Sequence, residues 1–252
     1  MRHPGHRRRP GRPLTAGDAV AAPVTIDLAA LAAAAAGALE DRIGAARLVC
    51  FPTDTVYGVG GALTPAVAGA LVAAKGRAPG KPLQVVFATL DALEAGVVMA
   101  PELRSACRRL LPGPVTLLLP YPAGWDFPPP GEAGEACGRP AVATLGVRVP
   151  AWPPGARVLA GLRRPLVASS ANRSGASAPA SLDEVDAALL ARCDLALDAG
   201  PVSGLASSVI DLSRYAATGR WRLLRAGAWG AAEVADRLAG TRERPPPGGH
   251  RR

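Results

Sequence analysis

Apolar residues fall in short runs along this chain, separated by Gly, Pro and charged residues, and the runs predict alternating strands and helices. Residues 26–43 are rich in Ala and Leu and predict a helix, with Thr25 or Asp27 as its cap. Residues 47–51 form a short apolar run stopped by Pro52, which predicts a buried strand, and 56–63 follow as a second extended, Gly-rich piece. Residues 65–75 predict a helix with Pro65 at its start, where a missing amide proton is tolerated. Further strands are predicted at 83–88, 115–119, 142–149, 165–169, 195–198, 207–212 and 221–225. Further helices are predicted at 101–111, 182–191 and 231–238. This interleaving predicts an α/β fold built on an open mixed sheet with helices packed on it.

Composition narrows the picture. The chain has 252 residues, 49% of them hydrophobic but only 4% aromatic, so Ala, Val and Leu must build the core. The formal charge of +9 suggests nucleic acid at first sight. Its placement argues otherwise: residues 1–12 contribute +5 and residues 241–252 contribute +3, leaving +1 for everything between. The expected organisation is a basic tail at 1–22, one domain at 23–240 and a second basic tail at 241–252, with both tails disordered. Residues 121–141 are rich in Pro and Gly and read as a surface insertion within the domain.

Three absences bound the chemistry. His3, His6 and His250 all lie in the tails, so the domain has no histidine for a Ser-His-Asp triad, a Cys-His pair or a His-ligated zinc. Cys50, Cys107, Cys137 and Cys193 form no CxxC pair and read as buried free thiols of a reducing compartment. The apolar run after Ile26 is too short for a bilayer, which takes about 20 residues. No membrane association and a cytoplasmic location are therefore expected.

Rare residue types mark candidate chemistry. The chain has two lysines, Lys75 and Lys81, both within Lys75–Pro82, and one asparagine, Asn172, in the segment Ser169–Gly175. Lysine supplies a compact charge suited to phosphate, and asparagine a neutral donor and acceptor together. Lys75, Arg77 and Lys81 recur along one turn and repel one another unless an anion joins them, although the pattern is not that of a P-loop. Pro52-Thr53-Asp54-Thr55 precedes glycines that let the backbone approach a ligand, and reads equally as a β-turn whose side chains satisfy backbone groups. Pro112-Gly113-Pro114 delivers Thr116 to a strand. Arg148 in an apolar strand is either an edge residue or a carboxylate clamp. Ser169–Gly175 clusters hydroxyls, an amide and a glycine at a strand exit, where α/β sheets open crevices, while Ala206–Asp211 and Leu224–Gly227 read equally as ordinary strand ends.

Taken together, PTDTVYGxG, KGRxxxxPL, PGPxT, VRVP, SSANRSG, SSVID and LRxG occur here in one order. In that order they resemble the YrdC-type L-threonylcarbamoyladenylate synthases over roughly residues 26–240. The resemblance implies a YrdC-like twisted open sheet with a positively charged concave face. It implies a nucleotidyltransferase that joins L-threonine, bicarbonate and ATP, with Mg²⁺, into threonylcarbamoyl-AMP and pyrophosphate. Transfer proteins then use that product to make N6-threonylcarbamoyladenosine in tRNA.

By matching positions, Thr55, Thr116, Arg148 and Ser207 are expected to serve mainly threonine, with Arg148 as the carboxylate clamp and with Thr116 and Ser207 open to either ligand. Lys75, Arg77, Lys81, Ser170, Asn172 and Arg225 are expected to serve ATP, with Lys75, Arg77, Ser170 and Asn172 at the reacting phosphate. The chain departs from relatives at Lys81, where a neutral polar residue is frequent, and at Val86, where a histidine is frequent. Ser208 replaces a frequent Thr, Ala226 a frequent Pro, and the short form without an extra C-terminal domain is expected. The competing reading is a non-catalytic module binding double-stranded RNA or tRNA, and even a synthase could touch RNA weakly through its basic face and tails. A carbamoyl-transfer relative ranks third. A charge-assisted hydrogen bond is worth roughly 1.5–3 kcal/mol, so Arg77→Ala is expected to lower ATP-dependent pyrophosphate release at least about tenfold. Normal release by the purified variant would remove Arg77 from the site.

Overall fold

The computed structural model describes residues 22–76, 83–122, 125, 144–173 and 175–240. Nearly all of the two tails and most of the Pro/Gly-rich insertion lie outside them. Ten strands form one mixed sheet: β1 (Val24–Asp27), β2 (Val49–Phe51), β3 (Gly58–Ala62), β4 (Gln84–Val86), β5 (Val115–Pro120), β6 (Thr144–Arg148), β7 (Leu166–Ser170), β8 (Leu195–Asp198), β9 (Ser208–Asp211) and β10 (Arg222–Arg225). Their order across the sheet is β1-β8-β2-β3-β7-β4-β6-β5-β9-β10. The pairs β1·β8, β2·β8, β4·β6 and β5·β9 are parallel, and the rest antiparallel. This is the expected α/β architecture.

Seven helices accompany the described strands: α1 (Ala36–Ala45), α2 (Pro65–Ala74), α3 (Leu90–Gly96), α4 (Pro101–Leu110), α5 (Ala187–Leu190), α6 (Tyr215–Thr218) and α7 (Ala231–Ala239). No described helix is long and apolar enough to cross a membrane.

Side chains of successive strand residues point to opposite faces, and this alternation sorts the sheet. Val115, Leu117 and Leu119 of β5, Leu145 and Val147 of β6, Val85 of β4 and Ile210 of β9 join one core cluster with Leu93, Leu103, Leu110 and Val234 of the helices. Their neighbours Thr116, Leu118, Gly146, Arg148, Gln84, Val86 and Val209 face the other way and line a cleft. In β2, Val49 and Phe51 enter a second cluster with Leu39 and Ile43 of α1, while Cys50 enters a third with Val67 and Leu71 of α2. The whole core contains few rings, in keeping with the low aromatic content.

Two predicted helices are corrected. Residues 24–27 are a strand rather than the helix start, because they pair in register with Leu195–Asp198 of β8. Asp27 then accepts a hydrogen bond from the Ala29 amide at 2.9 Å, which turns the chain before a 3-10 turn at Ala33–Ala35. Tertiary pairing here overrides the helix preference of an Ala-rich run. The helix predicted at 182–191 shrinks to α5, because Asp186 accepts from the Leu189 amide at 3.0 Å and caps a new start. Helix α3 was not predicted, though Thr89 caps it by accepting from Ala92 at 3.1 Å. The 3-10 helix at Pro154–Gly161 and α6 were not predicted either.

Glu40 of α1 is buried. It accepts from the Arg163 and Arg164 amides at 3.0 and 2.7 Å, pinning α1 to the end of that 3-10 helix. Burial alone would raise its pKa, but those amides and the Arg163 guanidinium outweigh it and hold the pKa below the ordinary value.

The approach of β3 to β7 depends on glycine. A Cβ on Gly60 would lie 1.9 Å from the Val167 carbonyl oxygen. Gly60→Ala is therefore expected to destabilise the protein by at least about 2 kcal/mol, read as a lower midpoint of chemical unfolding. An unchanged midpoint would mean that the strands separate there without cost.

Candidate active site

Strand ends meet at the cleft, which has a volume of about 460 Å³. The turn after β2 builds one wall. The Thr53 hydroxyl donates to the Val56 carbonyl at 2.7 Å and accepts from the Thr55 and Val56 amides at 3.3 Å each. Its oxygen lies 2.9 Å from the Thr55 hydroxyl. Thr53 thus satisfies the turn's own backbone while lining the cleft. Thr55 is fully buried behind it and is not among the cleft's lining residues. Ser203 donates to the carbonyls of Asp54 and Thr55 and clamps the turn from outside.

Arg148, at the end of β6, reaches this turn. One terminal nitrogen donates to Asp54 at 2.5 Å, and the other to the Thr53 hydroxyl at 3.4 Å. The second Asp54 oxygen accepts from the Ala151 amide at 3.0 Å. Both side chains are nearly inaccessible, at 5% and 8% exposure, and the Arg148 Nε has no hydrogen-bond partner. Burial lowers the pKa of Arg148, Asp54 raises it, and the Arg225 charge lowers it again. The expected carboxylate clamp therefore already holds an internal carboxylate, and any substrate carboxylate would share the fork with Asp54.

The opposite wall comes from β5, β9 and β10. The Thr116 and Ser207 hydroxyls are 2.9 Å apart, both buried. Arg225 folds back on Ser207, donating from Nε and one terminal nitrogen to its carbonyl at 3.1 and 2.8 Å, and to its hydroxyl at 3.1 Å. Burial lowers the pKa of Arg225. Ser208 accepts from the Gly227 and Trp229 amides at 3.1 and 2.8 Å and donates to the Trp229 carbonyl at 2.6 Å, which fixes the loop after Arg225. Gly227 is needed there, since a Cβ would lie 2.2 Å from the Ala206 carbonyl oxygen.

At the end of β7, the Ser170 hydroxyl donates to the Asn172 side-chain carbonyl, and the Asn172 amide donates to the Ala176 carbonyl. Both residues line the cleft. Lys75, the C-terminal cap of α2, is 7% exposed. Its ammonium donates to the Ser169 hydroxyl at 3.1 Å and to the Ser170 carbonyl. Lys75 does not line the cleft itself. It lines an adjoining hollow, and Asn172 borders both spaces.

Of the residues expected at the site, Thr116, Arg148, Ser207, Ser170, Asn172 and Arg225 therefore gather in one cleft, with Lys75 next door. Arg77 and Lys81 lie outside the described residues. Val86 lines the cleft as an apolar residue. Sequence reasoning did not single out Thr53 or Asp54 within the quoted motif. Their signal was there, since a buried arginine in a strand requires a carboxylate and Asp54 is one of the two carboxylates within the quoted motifs, with Asp211.

A family model, Sua5_yciO_yrdC, described as telomere recombination, matches residues 41–227. The chain belongs to the Sua5/YciO/YrdC family. It is 33% identical over 172 residues to the threonylcarbamoyl-AMP synthase of Pyrococcus abyssi, covering 67% of this chain and 48% of that relative. The chain thus spans about half the length of that Sua5/YciO/YrdC relative. The crystal structure of P. abyssi Sua5 complexed with L-threonine superposes with a TM-score of 0.64 at 28% identity, covering 87% of this chain and 60% of the other. E. coli YciO shares the fold, with a TM-score of 0.64 at 18% identity over 82% of this chain and 95% of its own.

The buried ion pair carries the clearest consequence. Asp54→Ala leaves the Arg148 charge buried and unpaired, and is expected to cost about 3–5 kcal/mol, read as a shift in the urea midpoint. A cost below about 1 kcal/mol would show that solvent reaches Arg148.

Proposed function

We propose that the protein is an L-threonylcarbamoyladenylate synthase, a nucleotidyltransferase acting on L-threonine, bicarbonate and ATP. The observation that carries this reading is the cleft where two hydroxyls, the buried Arg148, the more open Arg225 and a Ser-x-Asn turn converge, with no histidine among the described residues that line it. Membership of the family and the P. abyssi relatives support it.

In this reading the threonine amine adds to CO2, derived from bicarbonate, and loses a proton to give a carbamate. A carbamate oxygen attacks the α-phosphorus of ATP. The phosphorus bond to the bridging oxygen breaks, and its electron pair leaves with pyrophosphate. No protein nucleophile takes part. The protein contributes proximity and a positive field where negative charge moves. Thr116 and Ser207 offer hydroxyls to threonine, and Arg148 supplies charge beside Thr53. Thr55 acts from behind by holding Thr53. Ser170, Asn172 and Arg225 contact the nucleotide from the cleft and Lys75 from beside it, and Arg77 and Lys81 are assigned to ATP on the motif alone.

Mg²⁺ enters as the Mg·ATP substrate. Among the described residues no three His, Cys, Asp or Glu side chains cluster to hold a metal, and Asp54 is committed to Arg148. Phosphate oxygens are therefore the fitting ligands. The product would pass to transfer proteins that modify tRNA, in the cytoplasm.

The test is pyrophosphate release from Mg·ATP and bicarbonate with threonine, with serine and with no amino acid. Release that needs threonine and bicarbonate together is expected. No release, combined with duplex-RNA binding unchanged by threonine, would replace this reading with the RNA-binding module.

A further inference from the structure

One polar side chain on the floor of the cleft serves none of the ligands assigned so far. Gln84 opens β4, lines the cleft and is half-buried. Its amide has no hydrogen-bond partner among the described residues. Val86, Leu118, Gly146 and Ala168, its neighbours on the cleft face, bring no polar side chain. Its stem lies beside Gly146, where a Cβ would come within 3.7 Å of the Gln84 Cγ. An amide left in this way offers two donors and an acceptor oxygen to whatever fills the cleft.

Strand register places that amide between the two groups of expected ligand residues. Gln84 pairs with Ala168 of β7 and with Gly146 of β6. Ser170 stands two residues beyond Ala168, toward the start of β4, because β7 runs antiparallel to it. Arg148 stands two residues beyond Gly146, toward the end of β4, because β6 runs parallel to it. Two residues of strand span about 7 Å. Gln84 therefore sits midway on the floor, with Ser170 on the nucleotide side and Arg148 on the threonine side. In the synthase reading, the group that forms between those sides is the carbamate.

Resting on that reading, we infer that Gln84 recognises and orients the carbamate. Once the threonine amine has added to CO2 and lost a proton, the planar group carries an N–H on the same side as one of its two oxygens. The Gln84 carbonyl accepts from that N–H while its NH2 donates to that oxygen, and the second oxygen is left to attack the α-phosphorus. A cation could meet only the oxygens and a carboxylate only the N–H, whereas a neutral amide serves both at once. Threonine's own carboxylate bears no N–H on its carbon, so the pairing also tells the two possible nucleophiles apart. Gln84 directly follows the KGRxxxxPL motif without belonging to it.

The test is steady-state pyrophosphate release by the full chain and its Gln84→Leu and Gln84→Glu variants, with threonine, bicarbonate and Mg·ATP varied in turn. Calorimetric threonine binding in bicarbonate-free buffer is measured alongside. Leucine keeps the volume and removes both hydrogen bonds, while glutamate keeps an acceptor for the N–H but sets a negative charge against the carbamate oxygens. Gln84→Leu is expected to lower kcat/KM for bicarbonate about tenfold, and Gln84→Glu about a hundredfold. Threonine binding and the KM for ATP are expected to stay at parent values. The threonine-to-serine rate ratio is also expected to hold, because both amino acids form the same carbamate group. Parent-like bicarbonate kinetics in both variants overturns the assignment. Weakened threonine binding, or a raised KM for ATP with bicarbonate unaffected, overturns it too, by moving Gln84 to the amino acid or the nucleotide. A loss spread evenly over all three substrates makes Gln84 a packing residue instead. Absence of threonine-dependent release from the parent sinks the synthase reading itself, and this assignment with it.

Discussion

The cleft depends on one buried ion pair. Arg148 stands in the middle of the sheet, where water cannot solvate its charge, and among the described residues Asp54 alone pairs with it. Such a pair is weak evidence for stability, because desolvating two charges offsets much of their attraction. Its effect is geometric. Asp54 binds Arg148 through one oxygen and the Ala151 amide through the other, so the turn after β2 is tied to the chain leaving β6. That tie spans three intervening strands of the sheet, β3, β7 and β4. Arg225 adds a second charge whose repulsion Arg148 registers. Arg148 has a carboxylate partner and Arg225 has no ion pair among the described residues, so the site is short of negative charge until an anion arrives.

The space for that anion comes from small residues. Gly58, Gly146 and Ala168 line the cleft where larger side chains would fill it. On the other face, Leu, Val and a few aromatics pack the same strands against helices. A core poor in aromatics still closes because three clusters divide the work, each holding helices to a different stretch of the sheet. The rigid face supports the open one, which is how strand ends keep hydroxyls and guanidinium groups in fixed positions.

Much of this was legible along the chain. Strands read well where short apolar runs end in Gly or Pro, as at β2 and β8, because burial on both faces leaves a dense signal. Residues 24–27 misled, since their Ala-rich continuation favours a helix and only pairing with β8, some 170 residues away, makes them a strand. Helix α3 escaped notice because seven residues give too little periodicity. Six of the site residues gather in one cleft because they lie at strand ends that the sheet order brings together. One feature was beyond sequence reasoning: the hydrogen bond between the Thr53 and Thr55 hydroxyls depends on turn geometry.

Among the described residues, the remaining nucleophiles are disarmed by their surroundings. Cys50, Cys107 and Cys193 are buried free thiols. Burial is the leading cause that pushes all three upward, Cys107 and Cys193 to about 12. At neutral pH they are protonated and cannot attack a phosphorus or a carbonyl. The Tyr57 hydroxyl is likewise raised, first by burial, and is spent on Asp198 and Gly200. Among the described residues the cleft offers hydroxyls without a base and cations without a free carboxylate. Such a set cannot form a covalent enzyme intermediate by the usual routes. It suits a reaction whose nucleophile is made from the substrates themselves, with the protein supplying position and positive charge.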